Sequence, residues 1–213
     1  MALAAVTQSY SYTNAHSTVM IDIGPDRVIE ATIVSANLTL TSIKREDYPH
    51  YSALLKDASV MRSFAKGVPY EEATITRIFN MVIKRFNEDE DPYSAFSVTH
   101  KETGEYVGNI VVGHQKPGVA EFAILFHERF RTPTLGLEAA KGLFFYIAHV
   151  VDLGYKMKGS PLTSIEGSTS KANAWTLEVL RGLTMNLLRE EDVAGITKER
   201  YSILTPDLLA LYR

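Results

Sequence analysis

Apolar residues along this chain change their spacing in a definite order, and that order limits the available folds more than any single motif does. After Arg45 they recur three and four apart in KREDYPHYSALLKDASVMRSFA and again in PYEEATITRIFNMVIKRFNEDED, where Ile75, Ile78, Phe79, Val82, Ile83 and Phe86 share one face. Two helices are predicted, the second opening after Pro69 with Glu71 and Glu72 favourable to the dipole in its first turn. Three strand-like runs follow, YSAFSVTH, YVGNIVVGH and GVAEFAILFH, and the short KETGE turn makes the first two antiparallel neighbours. A long apolar helix to about Leu153, a strand around LTSIEGS, a helix KANAWTLEVLRG and two last strand-like runs, TMNLLREE and ERYSILT, complete a mixed α/β order.

Ahead of these elements, residues 1 to 18 are small and polar and are expected to form a mobile or peripheral arm. VMIDIGPDRVIEATIVSANLTLTSI then reads as a hairpin about GPD leading into a longer strand. The chain has 213 residues, 46% of them hydrophobic, which is enough for one large core. A net charge of -3 gives no global reason to expect nucleic acid or an anionic membrane as partner. The absence of cysteine removes disulfides, thiolate nucleophiles and cysteine metal sites. The N-terminus lacks a basic n-region with an apolar run, and nowhere do about 18 apolar residues follow one another. A cytoplasmic location is expected. The six histidines show no ligand spacing, so no metal is expected.

One turn stands out. RTPTLG joins a strand to the long apolar helix, and a helix N-terminus directs unpaired N–H groups and a positive dipole end at whatever occupies such a turn. Gly136 permits close approach there, and Arg131, Thr132 and Thr134 offer side chains that suit a pyrophosphate. Most turns of this kind bind nothing, and threonine is an ordinary helix cap.

The strings within the elements resemble those of the GNAT acetyltransferases, in particular the RimJ/RimL-type branch. RTPTLG resembles the family's RxxGxG turn, LTLTSIKREDYPHYSALLKD its opening strand and helix, and AFSVTHKETGEYVGNIVVG its second and third strands. AEFAILF resembles its fourth strand and SIEGSTSKANAWTLEVLRGLTM its fifth strand and following helix. The resemblance covers residues 38 to about 205. It implies a GNAT fold over residues 37–213, with a central, mostly antiparallel twisted sheet of six to seven strands, flanking helices and a splay after the fourth strand. Residues 1–36 are then an N-terminal extension.

What the resemblance implies for function is acetyl transfer from acetyl-CoA to a primary amine, either a peptide N-terminus or a small molecule, by a monomer or homodimer. Arg131, Thr132, Thr134, Leu135 and Gly136 would hold the pyrophosphate, and Asn173 would contact the pantetheine or the backbone near it. Thr176, three residues after that Asn, would hydrogen-bond the leaving thiolate, because Leu180 stands where many relatives place a tyrosine. Glu121 on the fourth strand is the first candidate base and Glu166 on the fifth strand the second. On residue chemistry alone, each glutamate could equally face solvent or pair with a basic neighbour, Asn173 could simply cap its helix, and Thr176 could bond back within it. The chain departs from the family pattern at Thr134, which replaces the first motif glycine, and at Pro133, which removes an N–H from the turn. Thr184 also replaces a common glycine, a change confined to a turn. These departures motivate a second reading, a GNAT-fold binding or interaction module with lost or altered acyl-CoA activity.

Overall fold

The computed structural model describes residues 7–26, 28–193 and 195–213. Strands β1 (Gln8–Thr13), β2 (Thr18–Ile23), β3 (Ile29–Val34) and β4 (Leu38–Ser42) come first, then helices α1 (Tyr48–Lys56), α2 (Ala58–Met61) and α3 (Glu72–Asn87). Strands β5 (Ala95–His100), β6 (Tyr106–Lys116) and β7 (Val119–Phe126) lead into helix α4 (Pro133–Asp152). Strand β8 (Ser164–Ser170), helix α5 (Ala174–Gly182), strands β9 (Asn186–Val193) and β10 (Ile196–Leu204) and helix α6 (Thr205–Tyr212) complete the chain. All strands join one sheet in the order β1-β2-β3-β4-β5-β6-β7-β8-β10-β9. Every neighbouring pair is antiparallel except β7 and β8, which run parallel.

The sheet therefore has ten strands where six to seven were expected. Seven of them, β4 to β10, follow residue 37, and the difference is the meander β1–β3. Ile29, Ala31 and Ile33 alternate inward on β3, and Val19 and Ile21 do so on β2, so these strands carry apolar residues of the common core. Gln8–Thr13, read as arm, is an edge strand whose every residue has a partner on β2. Residues 1–6 of that arm lie outside the described residues. The expected longer strand is interrupted at Ser35–Asn37, where Ser35 N–H reaches Leu38 O at 3.0 Å. The first expected helix also breaks after Lys56, because the Asp57 carboxylate accepts from Ser59 N–H at 2.8 Å and caps a new turn.

Helix α4 is long and apolar enough, by length and composition, to cross a membrane. Twelve of its twenty residues are buried in this fold, so its apolar surface already has cover. Its Gly142 packs tightly, since a Cβ there would lie 3.0 Å from Ile33 Cγ2. One polar clamp fixes the helix to the strand turn. Glu138 accepts from Ser35 Oγ at 2.6 Å and from Asn37 N–H and Nδ2 at 2.7 and 2.8 Å. Burial alone would raise the Glu138 carboxyl, but its hydrogen bonds from Ser35, Asn37 and Leu38 outweigh that and hold it below its ordinary value. Its contribution is thus present above about pH 4.3 and is lost as pH falls below that. Glu138→Ala is expected to cost roughly 2–3 kcal/mol at neutral pH, less in acid, in paired urea melts; a pH-independent cost would show that the carboxylate charge is irrelevant.

Thr184 adopts φ +57°, in the left-handed region where a β-branched residue is strained. This explains why glycine suits the position. Thr184→Gly is expected to raise stability by about 1 kcal/mol, read as a higher denaturation midpoint at unchanged slope; a lower midpoint would refute the strain.

Candidate active site

The site is built on the parting of two parallel strands. Strand β7 pairs with β8 only from Val119↔Ser164 to Phe122↔Gly167. Beyond Phe122, residues Ala123 to Phe126 remain paired to β6 but have no neighbour on the β8 side. This is the expected splay after the fourth strand counted from residue 37. Unpaired strand edges offer N–H and C=O groups to an extended ligand. A cavity of about 400 Å³ opens at the parting and extends to the helices α1 and α3. Glu121, Arg131, Asn173 and Thr176 all line it.

Asn173 and Thr176 form a closed pair at the start of α5. The Asn173 Oδ1 accepts from Thr176 N–H at 3.3 Å, and Asn173 Nδ2 donates to Thr176 Oγ1 at 2.8 Å. Asn173 therefore is the helix cap, and its second bond occupies a lone pair of the threonine oxygen. The Thr176 hydroxyl proton is left available to an acceptor in the cavity.

The turn before α4 largely satisfies itself. Arg131 and Thr132 N–H groups go to Glu128 and Phe130 carbonyls at 3.1 and 2.8 Å, and Gly136 N–H goes to Thr132 O at 3.0 Å. Leu135 N–H is taken by Thr132 Oγ1 at 3.2 Å. Pro133 has no N–H, so among residues 131–136 the Thr134 amide is the one left open. The Arg131 guanidinium donates to Phe126 O at 3.0 Å and Ser59 O at 3.3 Å, tying β7 to α2. Gly136 is needed for packing: a Cβ there would lie 2.8 Å from Val179 Cγ2 and 2.9 Å from Trp175 Cζ2. Trp175 Nε1 in turn donates to Thr132 O at 2.9 Å, and the Arg131 guanidinium lies 5.9 Å from its ring centroid.

The two glutamates separate by environment. Glu121 and Glu166 are paired across the parallel strands, yet the Glu121 side chain is 46% exposed and the Glu166 side chain 8%. Between them stands Arg200 on β10, whose Nη1 lies 3.2 Å from Glu166 and 4.0 Å from Glu121. Glu191 on β9 takes the rest of the guanidinium, at 3.0 Å to Nε and 2.7 Å to Nη2. These hydrogen bonds from Arg200 hold the Glu191 carboxyl below its ordinary range, and they raise the arginine.

The model of the acetyltransferase (GNAT) domain family matches residues 37–186, more than half of the chain. The chain belongs to the GNAT acetyltransferase family. By fold it is similar to a GNAT-family acetyltransferase from Bacillus anthracis, at TM-score 0.65 and 16% identity over 82% of this chain and 99% of that one. It is similar also to an acetyltransferase from Agrobacterium tumefaciens, at TM-score 0.61 and 21% identity over 80% and 93%. A third such structure is the spermidine N-acetyltransferase from Vibrio cholerae in complex with CoA and spermine, at TM-score 0.62 and 16% identity over 81% and 98%. A sequence search of curated proteins finds no match.

The GNAT family uses acetyl-CoA. The free edge of β7, the cavity and the Thr176 hydroxyl suit its thioester end. At the diphosphate end the α4 turn offers one open amide, the Thr134 hydroxyl and the helix dipole, a sparser cradle than a turn with several free N–H groups. Two parts of this site were not read from the sequence. Arg200 gave no local signal, since its partners lie on β7, β8 and β9. His114, also lining the cavity, has Nε2 2.5 Å from Asp91 Oδ2, a pair from strands and loop 23 positions apart.

Proposed function

We propose that this GNAT protein is an N-acetyltransferase that moves acetyl from acetyl-CoA to a primary amine by direct attack. The observation that carries the reading is a single cavity lined by an open strand edge, a hydroxyl with its proton to give, and one carboxylate. Holding amine and thioester side by side supplies much of the rate. Glu121, at the cavity wall and near Arg200, takes the proton that the amine loses, directly or through a water. The amine nitrogen bonds to the thioester carbonyl carbon as the carbon–sulfur bond breaks. Thr176, its oxygen already engaged by Asn173, donates a hydrogen bond to the departing sulfur. Glu166 is set apart by burial and its arginine, and we assign it to holding Arg200.

Within the family we place the chain in the RimJ/RimL-like branch. Leu180 in place of a tyrosine and a hydroxyl three residues after Asn173 support this. A cytoplasmic setting fits a cysteine-free chain. A second reading, a binding module that has lost transfer, is favoured by the turn that spends its own amides.

Thermal unfolding with acetyl-CoA separates the two. At a hundred times the dissociation constant, binding adds about 2.7 kcal/mol, which is expected to raise the midpoint by roughly 5–11 °C. Thr176→Ala is then expected to slow turnover while leaving that shift in place. No shift at millimolar acetyl-CoA would refute the enzyme reading and leave the module.

A further inference from the structure

The part of the cavity away from the β7 edge has its own character. Tyr51, Leu54 and Leu55 on α1, Phe64 and Tyr70 between α2 and α3, and Ile78 on α3 line it. Tyr51 is buried, and burial pushes its phenol and that of Tyr70 upward, so both rings are neutral. Lys198 Nζ donates to Ala65 O at 3.1 Å, joining β10 to the segment after α2 beside this wall. Among the described residues lining the cavity Glu121 is the one carboxylate, while Arg85, Arg131 and Lys198 bring positive charge. Of these, Arg85 donates to Tyr93 O at 3.3 Å, with Asp91 and Asp89 near enough to act on its charge.

Such a wall discriminates between amines. Each ammonium of a polyamine that enters must find a counter-charge or a ring face, because an unpaired buried charge is costly. One ammonium can be met by Glu121; among the described lining residues no second carboxylate is there to meet another. An apolar body, by contrast, gains by leaving water against leucine, isoleucine and phenylalanine. We infer that the acceptor is a primary amine with a single positive charge on an apolar or aromatic body. This rests on the proposed acetyl transfer and sets the chain apart from the polyamine named for its Vibrio cholerae structural neighbour. The same chemistry is offered by a small arylalkylamine and by the first residue of a peptide beginning with leucine or phenylalanine.

The test is a comparison on the full chain of 2-phenylethylamine, a Leu-Ala-Ala peptide and spermidine. Acetyl transfer and equilibrium binding by calorimetry are both read with CoA present. Either apolar acceptor is expected to exceed spermidine by about tenfold or more, and the larger of the two identifies small molecule or peptide as the source. Met81, exposed on α3 and lining the cavity, allows a second arm. Met81→Glu is expected to raise the spermidine to 2-phenylethylamine ratio about three- to tenfold. Spermidine preferred over both apolar amines would overturn the inference while leaving acetyl transfer intact. Tight binding of an apolar amine without any acetyl transfer would do the reverse, supporting the acceptor class and refuting the proposed activity. Binding of none of the three would overturn the inference.

Discussion

Arg200→Met is expected to lower stability by about 3–5 kcal/mol. The arginine side chain is 11% exposed and meets the carboxylates of Glu166, Glu191 and Glu121. Methionine fills much of the same volume, so the loss comes chiefly from leaving the Glu166 charge buried without its partner. Removing both members should therefore undo most of the damage: Arg200→Met with Glu166→Leu is expected within about 1 kcal/mol of the parent, since buried ion pairs and apolar replacements are often near balance. Urea unfolding at constant slope reads both. The sign with pH is also set. Glu191 has a depressed folded pKa through its Arg200 hydrogen bonds, so its contribution is present above about pH 4.3 and lost as pH falls below that. The gap between parent and Arg200→Met is expected to narrow in acid. A single-mutant loss below about 1 kcal/mol would mean that water reaches Glu166 and screens it as it would a surface pair.

The second large effect is on turnover. Glu121→Gln is expected to reduce kcat roughly 10²–10⁴-fold with acetyl-CoA affinity unchanged, because glutamine keeps the shape of the side chain and cannot take a proton. Glu166→Gln is the control for position. Its carboxyl lies behind Arg200, and its replacement should register mainly in stability. Steady-state acetyl transfer with a saturating amine, beside unfolding midpoints for both variants, separates the two roles. Should Glu121→Gln retain nearly full kcat while Glu166→Gln loses it, the roles are exchanged. Should both keep it, His114 with Asp91 would be the next group to examine on the cavity wall.

The order of strands and helices was legible because each element carries a local period. On α3, Ile75, Phe79, Val82, Ile83 and Phe86 are buried at the positions their spacing marked. Asn173 was legible as a helix cap for a similar reason, but the bond from its Nδ2 to Thr176 Oγ1 was not, because on residue chemistry Thr176 was expected to bond back within the helix. The breaks after Lys56 and at Ser35–Asn37 were less so, because short polar stretches compete with the period only through single side-chain bonds such as those of Asp57 and Glu138.

The RTPTLG turn shows the limit from the other side. Its residue types suited a phosphate, but the partners that use up its amides are backbone carbonyls and a threonine hydroxyl within the turn, and Trp175 reaches it from 39 positions beyond Gly136. The sequence by itself determined the mixed α/β order, the strand-to-helix turn and the Asn173 cap, all written in neighbours a few residues apart. Only the tertiary structure decided that Glu166 is buried against Arg200 while Glu121 faces the cavity. That choice rests on the register of β7, β8, β10 and β9, which long-range backbone hydrogen bonds set and no local spacing encodes.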